Sequence, residues 1–255
     1  MVRVLAAAGD VIYVRDVANT LQLDRTAAAQ RLSRWREQGW LRRVGRGAYI
    51  AASIDTLGAD HVLEDPWILV PALFAPAYIG GRTAATHWDL TEQIFRDVLV
   101  MTARTVREKR QERHGIPFTL KHIDQRKLFG TKAVWRHHTR VLVSDVHRTI
   151  VDILADPALG GGLQHVTECL TAYWRRSDRD DHKLVEYASQ LGNGAVYKRL
   201  GFLAERQSNS SNLVQLCEHS LSGGYAKLDP AQDCPRIITK WRLRVPELWA
   251  REVPR

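Results

Sequence analysis

Apolar and polar positions in the first fifty residues alternate in a way that predicts three helices and a hairpin. Val2 to Ala8 is apolar and rich in alanine, which suits a short first helix. Val11 to Tyr13 fits a brief strand, and Val14, Val17, Ala18 and Leu21 then recur at helical spacing. Gln22-Leu23-Asp24 interrupts that pattern, and the Asp24 carboxylate stands where it can accept hydrogen bonds from the first amides of another helix. This third helix is predicted from Arg25 to about Gln38, with Gly39 placed to end it. On its wheel Ala28, Leu32 and Trp35 fall together as a packing face. Thr26, Gln30 and Arg34 fall opposite, and Arg25 and Arg31 flank the packing face. Trp40 to Val44 and Ala48 to Ile50 read as two strands, joined by a turn at Gly45-Arg46-Gly47.

Ala51 to Asp60 carries no clear period and is the expected boundary between a domain at 1–52 and a larger one at 61–255. Beyond it the pattern is mixed. Pro66 to Phe74 reads as helix, Tyr78-Ile79-Gly80-Gly81 as a strand and turn, and Thr83 to Leu90 as a short helix. Strands are predicted at Val98–Thr102, Phe118–His122 and Arg140–Ser144. Helices follow at roughly 146–155, 163–175, 181–191, 195–206 and 211–221, and a last strand at Trp241–Val245. The predicted fold class is therefore α+β: an N-terminal winged helix-turn-helix, then a larger mixed α/β C-terminal domain that is mostly helical after about residue 146.

Charge gives this arrangement a partner. The 255 residues carry a formal net charge of +9. Residues 1–50 hold nine Lys/Arg against four Asp/Glu, and residues 104–148 twelve against four, so these two segments own all of the excess. A polyanion is the partner such placement suits. In a helix-turn-helix, Arg25, Thr26, Gln30, Arg31 and Arg34 would face double-stranded DNA. Arginine pairs with guanine edges, glutamine with adenine edges, and all of them with phosphate. Arg42, Arg43 and Arg46 crowd the hairpin, and Arg46 at its tip can reach phosphates or the minor groove. Arg104, Arg107, Lys109, Arg110, Arg113, Arg136 and Arg140 are read as a possible second basic surface adding phosphate contacts. The same stretch also suits a flexible exposed loop, or an acidic protein or RNA partner.

Catalytic chemistry is sparse. Gly160-Gly161-Gly162 lacks the Lys-Ser/Thr of a phosphate loop, and no Gly-x-Ser-x-Gly elbow occurs. His137-His138 has no further ligand at metal spacing, and Cys169, Cys217 and Cys234 are too scattered for zinc or a disulfide framework. Asp178, Asp180 and Asp181 stand beside Arg175, Arg176 and Arg179. They read as a solvated loop with a helix cap, with a divalent metal as the alternative. Asp145 and Asp152 flank Arg148 on one helix, and read as a buried ion pair or a cap rather than an acid/base pair. No enzyme activity, metal or cofactor is expected. No apolar run reaches about 18 residues and Met1–Gly9 lacks secretion features, so no membrane contact and a cytoplasmic location are expected.

Three stretches make the chain resemble the AbiEi antitoxins of AbiE-type abortive-infection systems. The first is the winged helix ending in Arg46-Gly47-Ala48-Tyr49. The second is Tyr78–Gln93 with the strand to Thr102. The third is Leu128-Phe129-Gly130 through Val143–Asp152, with Lys198–Glu205. The resemblance implies an antitoxin that represses its own operon by binding inverted repeats in its promoter. It also implies a C-terminal domain that counters a nucleotidyltransferase-like toxin encoded next to it. This chain has Arg82-Thr83 where the family pattern leads one to expect a small hydroxyl residue opening a short helix, a role that falls to Thr83. The alternatives are a cryptic nuclease targeted by the winged helix, using Asp180 and Asp181, and a ligand-sensing regulator without a toxin.

Overall fold

The polar break at residues 22–24 folds as its residue types dictate. Gln22 turns the chain through the left-handed region (φ 52). The Asp24 carboxylate then accepts from the amides of Thr26 (2.8 Å) and Ala27 (2.9 Å), satisfying two donors that a helix start otherwise leaves open. Three helices result: α1 (Val2–Ala7), α2 (Val14–Leu21) and α3 (Arg25–Glu37). Their apolar faces, with Val4, Val17, Ala28, Leu32 and Trp35, close on one another. Strand β1 (Ile12–Tyr13) pairs with β3 (Ala48–Ala51), which pairs with β2 (Leu41–Gly45), so a small antiparallel sheet backs the helices. The computed structural model describes residues 2–52, 65–207 and 210–250. The boundary expected at 51–60 lies, beyond Ala52, outside the described residues.

By their packing the residues fall into two compact units, Met1–Ile79 with Arg96–Leu128 and Lys132–Val143, and Gly80–Phe95 with Phe129–Thr131 and Ser144–Arg255. The first unit combines the winged helix with a six-stranded sheet. A 3-10 turn at Pro66–Ile68 leads into α4 (Leu69–Phe74), whose Phe74 ring meets Phe118 at 5.1 Å. The strands are β4 (Ala77–Ile79), β5 (Val98–Thr102), β6 (Arg110–Arg113), β7 (Ile116–His122), β8 (Thr131–Arg136) and β9 (Thr139–Ser144). Their order is β6-β7-β5-β4-β9-β8. β5 is buried from end to end, as a strand covered on both faces must be. The expected strands are all present. β6 (RQER) and β8 (TKAVWR) were not expected, because edge strands face solvent and show no apolar alternation.

The second unit begins with α5 (Gly81–His87) and continues as α6 (Val146–Ala155), α7 (Leu163–Trp174), α8 (Asp181–Leu191), α9 (Gly194–Gln207) and α10 (Ser211–His219). It ends in a small sheet of β10 (Ala226–Lys227), β11 (Arg236–Ile238) and β12 (Leu243–Val245), then α11 (Glu247–Ala250). α5 opens at Gly81 with Gly80 in the capping position, so Thr83 lies inside the first turn and does not open the helix. α6 is buried from Val146 to Leu154. Its fully buried Arg148 pairs with Asp152 (2.9 Å) one turn on, and its guanidinium lies 4.0 Å from the Phe129 ring centroid. Asp145 accepts from the Arg148 amide (2.8 Å) and from the Tyr187 hydroxyl (2.9 Å). Burial and the hydrogen bond to Asp145 both push the Tyr187 phenol above its ordinary range. Arg199, also buried, donates to the carbonyls of Leu154 and Ala155 at the end of α6 and to those of Lys227 and Leu228.

α9 lies against Trp241 at Gly201, where an added Cβ would meet two ring carbons at 2.0 and 2.3 Å. Trp241 is fully buried, and its indole N–H is held by Glu205 (2.7 Å), so the ring has no room to retreat. Gly201→Ala is expected to destabilise the protein by about 3 kcal/mol, although alanine favours an exposed helix by about 1 kcal/mol. A urea titration measures it, and an unchanged midpoint would mean that this packing is not present in solution.

Candidate nucleic-acid interface

α3 is amphipathic in the sense that matters for a groove reader. Ala28 and Leu32 have no exposed surface and Trp35 only 5%, so one side of the helix belongs to the core. Arg25, Thr26, Gln30, Arg31 and Arg34 are exposed. Thr26, Gln30 and Arg34 recur every four residues and so form one outward row. Among the described residues Arg25, Arg31, Arg34 and Arg46 form no ion pair, while Arg36 meets its neighbour Glu37 at 3.7 Å. The outward face therefore carries positive charge with little internal compensation.

The wing is a tight hairpin. Gly45 pairs with Ala48, leaving Arg46-Gly47 as the connection, and Gly47 takes the positive φ (+70) that such a turn requires. Gly45 does not, so only one of the two flanking glycines serves the turn geometry. Arg42, Arg43 and Arg46 are exposed. Arg43 bends back, its Nε donating to the Gly45 carbonyl (3.1 Å), which stiffens the wing and leaves Arg46 as its outermost cation.

The winged helix is fastened to the six-stranded sheet. The Asp10 carboxylate accepts from the His138 amide and the Thr139 hydroxyl, each at 2.9 Å, in the β8–β9 turn. His114 Nε2, in the β6–β7 turn, lies 3.2 Å from the Val44 carbonyl of β2. Nothing in the sequence signals these contacts, since the partners stand up to 129 positions apart.

The seven residues read as a second basic surface do not come together. Arg104, Arg107 and Lys109 follow β5, and Arg110 and Arg113 lie on β6, one edge of the sheet. Arg136 and Arg140 lie on β8 and β9 at the other edge. At the usual spacing of strands the two edges are about 24 Å apart. Arg136 is also half-buried, 4.3 Å from the Trp67 ring centroid and 3.6 Å from Asp65.

The acidic group at 178–181 is internally engaged. Asp178 pairs with Arg176 (2.7 Å), and that hydrogen bond holds its carboxyl below the ordinary range. Asp181 pairs with Arg179 (2.6 Å), and Asp180 caps α8 by accepting from the Lys183 amide (2.9 Å). Among the described residues no three His, Cys, Asp or Glu side chains gather as a metal would need. His165 lies 3.7 Å from Cys169, but burial pushes that thiol up to about 12 and keeps it protonated at neutral pH. Cys217 and Cys234 are likewise buried and free. No helix among the described residues is long and apolar enough to cross a membrane.

Three helices with a capped, arginine-bearing third, backed by an arginine-tipped hairpin, define the winged helix-turn-helix class. Residues 1–52 match the model of a family described as "Transcriptional regulator, AbiEi antitoxin", in agreement with the resemblance read from the sequence. The fold as a whole is similar to the crystal structure of the RV2827C protein from Mycobacterium tuberculosis. The TM-score is 0.60 at 15% identity, over 92% of this chain and 86% of that one. At that identity the likeness is one of fold. No curated protein matches the chain.

Proposed function

We propose that this protein is a DNA-binding transcriptional autorepressor and the antitoxin of an AbiE-like two-gene operon, acting by occupancy in the cytoplasm. The observation that carries the reading is the exposed surface of α3, with Arg25, Arg31 and Arg34 beside Thr26 and Gln30, next to a wing whose tip is Arg46. Thr26, Gln30, Arg31 and Arg34 enter the major groove of double-stranded DNA, at inverted repeats in the protein's own promoter. Arg25 and Arg43 meet flanking phosphates, and Arg46 clamps the backbone from the side. Arg107, Lys109 and Arg110 add phosphate contacts from the sheet edge whose turn meets the wing. Arg136 and Arg140, at the far edge, are left out of this surface.

The antitoxin part is supported by the family match over residues 1–52. On this reading the partner is a nucleotidyltransferase-like toxin. Two measurements test the reading. A gel-shift series on the duplex upstream of the gene should give a salt-sensitive complex that random duplex competes away only at much higher concentration. Co-expression should rescue growth from the toxicity of the neighbouring gene. Equal competition by random DNA would overturn the repressor role, and undiminished toxicity would overturn the antitoxin role.

A further inference from the structure

Beside the end of β5 the first unit holds a pocket of about 180 Å³, bounded by α4, the loop after β5 and the β6 edge. Arg104 and Arg113 are among the residues that line it, together with the apolar Leu73, Phe74 and Leu120. Among the described residues no aspartate or glutamate lines it. Both arginines are positioned in advance. Arg104 donates from Nη1 to the Leu73 carbonyl (2.6 Å), and Arg113 donates from Nη2 to the Gln111 carboxamide oxygen (2.7 Å) and from Nη1 to the Glu112 carbonyl (3.2 Å). The Thr102 hydroxyl donates to the Phe74 carbonyl (2.7 Å) and accepts from the Arg104 amide (3.0 Å), which ties the loop after β5 to α4. Each guanidinium has five N–H donors, so these bonds leave further donors on each.

Two arginines lining one pocket, with no carboxylate among its described lining residues, match a dianion better than a single carboxylate. A phosphate monoester carries about −1.5 to −2 at pH 7 and accepts paired N–H bonds from arginine. The apolar lining residues ask for more than a bare ion, and the volume is several times the roughly 30 Å³ that one water takes. We infer that this pocket binds a small organic phosphate monoester, its phosphate between Arg104 and Arg113 and its apolar body on Phe74 and Leu120. One lining side chain, Leu73, also lies close to the wing. A Cβ on Gly45 of β2 would meet its Cδ2 at 3.4 Å. A bound ester thus bears on the wing through α4. That consequence rests on the DNA-binding reading, whereas the ligand site itself does not.

Calorimetry on the full chain without DNA tests the site, with phenyl phosphate, phenol and inorganic phosphate as probes. Phenyl phosphate should bind saturably, inorganic phosphate more weakly and phenol not at all. Arg113→Ala and Arg104→Lys should each weaken phenyl phosphate by about tenfold, the worth of one lost charge-assisted contact, with circular dichroism unchanged. The Arg104 variant keeps a cation beside the Leu73 carbonyl, so it separates loss of the fork from loss of folding. The inference is overturned by any of three results: no saturable heat in the millimolar range, equal binding of phenol, or affinity unchanged in both variants. Complete displacement of phenyl phosphate by any duplex would also overturn it, by assigning the two arginines to the DNA face. A failed gel shift with intact phenyl phosphate binding would sink the repressor reading and leave this one standing.

Discussion

Replacing Arg34 and Arg46 together with alanine is expected to weaken binding to the upstream duplex by roughly a hundredfold, from a loss of about 1–3 kcal/mol at each contact. The two side chains leave from different elements, Arg34 from the outward row of α3 and Arg46 from the wing tip, and both are exposed. Removing them costs the fold little, because the packing of α3 rests on Ala28, Leu32 and Trp35. The salt dependence is the sharper reading. Each phosphate neutralised contributes about −0.9 to the slope of log affinity against log salt. If both arginines meet phosphates, the slope flattens by about two. If Arg34 reads a base, the slope flattens by about one and discrimination against altered operators falls. A double variant with wild-type affinity and slope would move the DNA contact away from this face.

The second large effect is on stability. Asp152→Ala is expected to destabilise the protein by about 3–5 kcal/mol, because it strips the counter-charge from a guanidinium with no exposed surface. Arg148 sits in the buried first turn of α6 beside the Phe129 ring and cannot swing to solvent without opening the second unit. At about 2–4 °C per kcal/mol for a chain of this size, the transition should fall by roughly 10 °C. Arg148→Met with Asp152→Leu should recover most of the loss, since it removes both charges while keeping apolar bulk. The coupling appears as non-additivity between the single and double variants in thermal denaturation. A loss below about 1 kcal/mol for Asp152→Ala, the range of surface pairs, would show that the pair is solvated.

What the sequence made legible was what consecutive residues determine. The period of Ala28, Leu32 and Trp35, the cap at Asp24 and the glycine at position 47 all act within one turn of chain, and each is found where the pattern put it. A buried pairing of Arg148 with Asp152 or Asp145 was legible for the same reason; Asp152, one helical turn on, takes the guanidinium, and Asp145 accepts from the Arg148 amide. The placement of the 104–140 cations was not. The β6–β7 and β8–β9 hairpins are dealt to opposite edges of the sheet, so their cations end far apart, and no local pattern encodes strand order. β6 and β8 escaped notice because edges need no apolar alternation. Thr83 suited a helix start by residue type, but Gly80 and Gly81 begin the helix before it.

The grip of Asp10 on the β8–β9 turn, together with the approach of His114 to Val44, fixes how the α3 face is aimed. A reading head on a slack tether surrenders its tumbling freedom anew at each encounter with a target, and that loss subtracts from affinity. Here the surrender happens once, as the chain folds. The angle at which the protein meets its site is thereby written into two hairpin turns far along the polypeptide, where a substitution at Thr139 could misalign reading without touching a single contact residue.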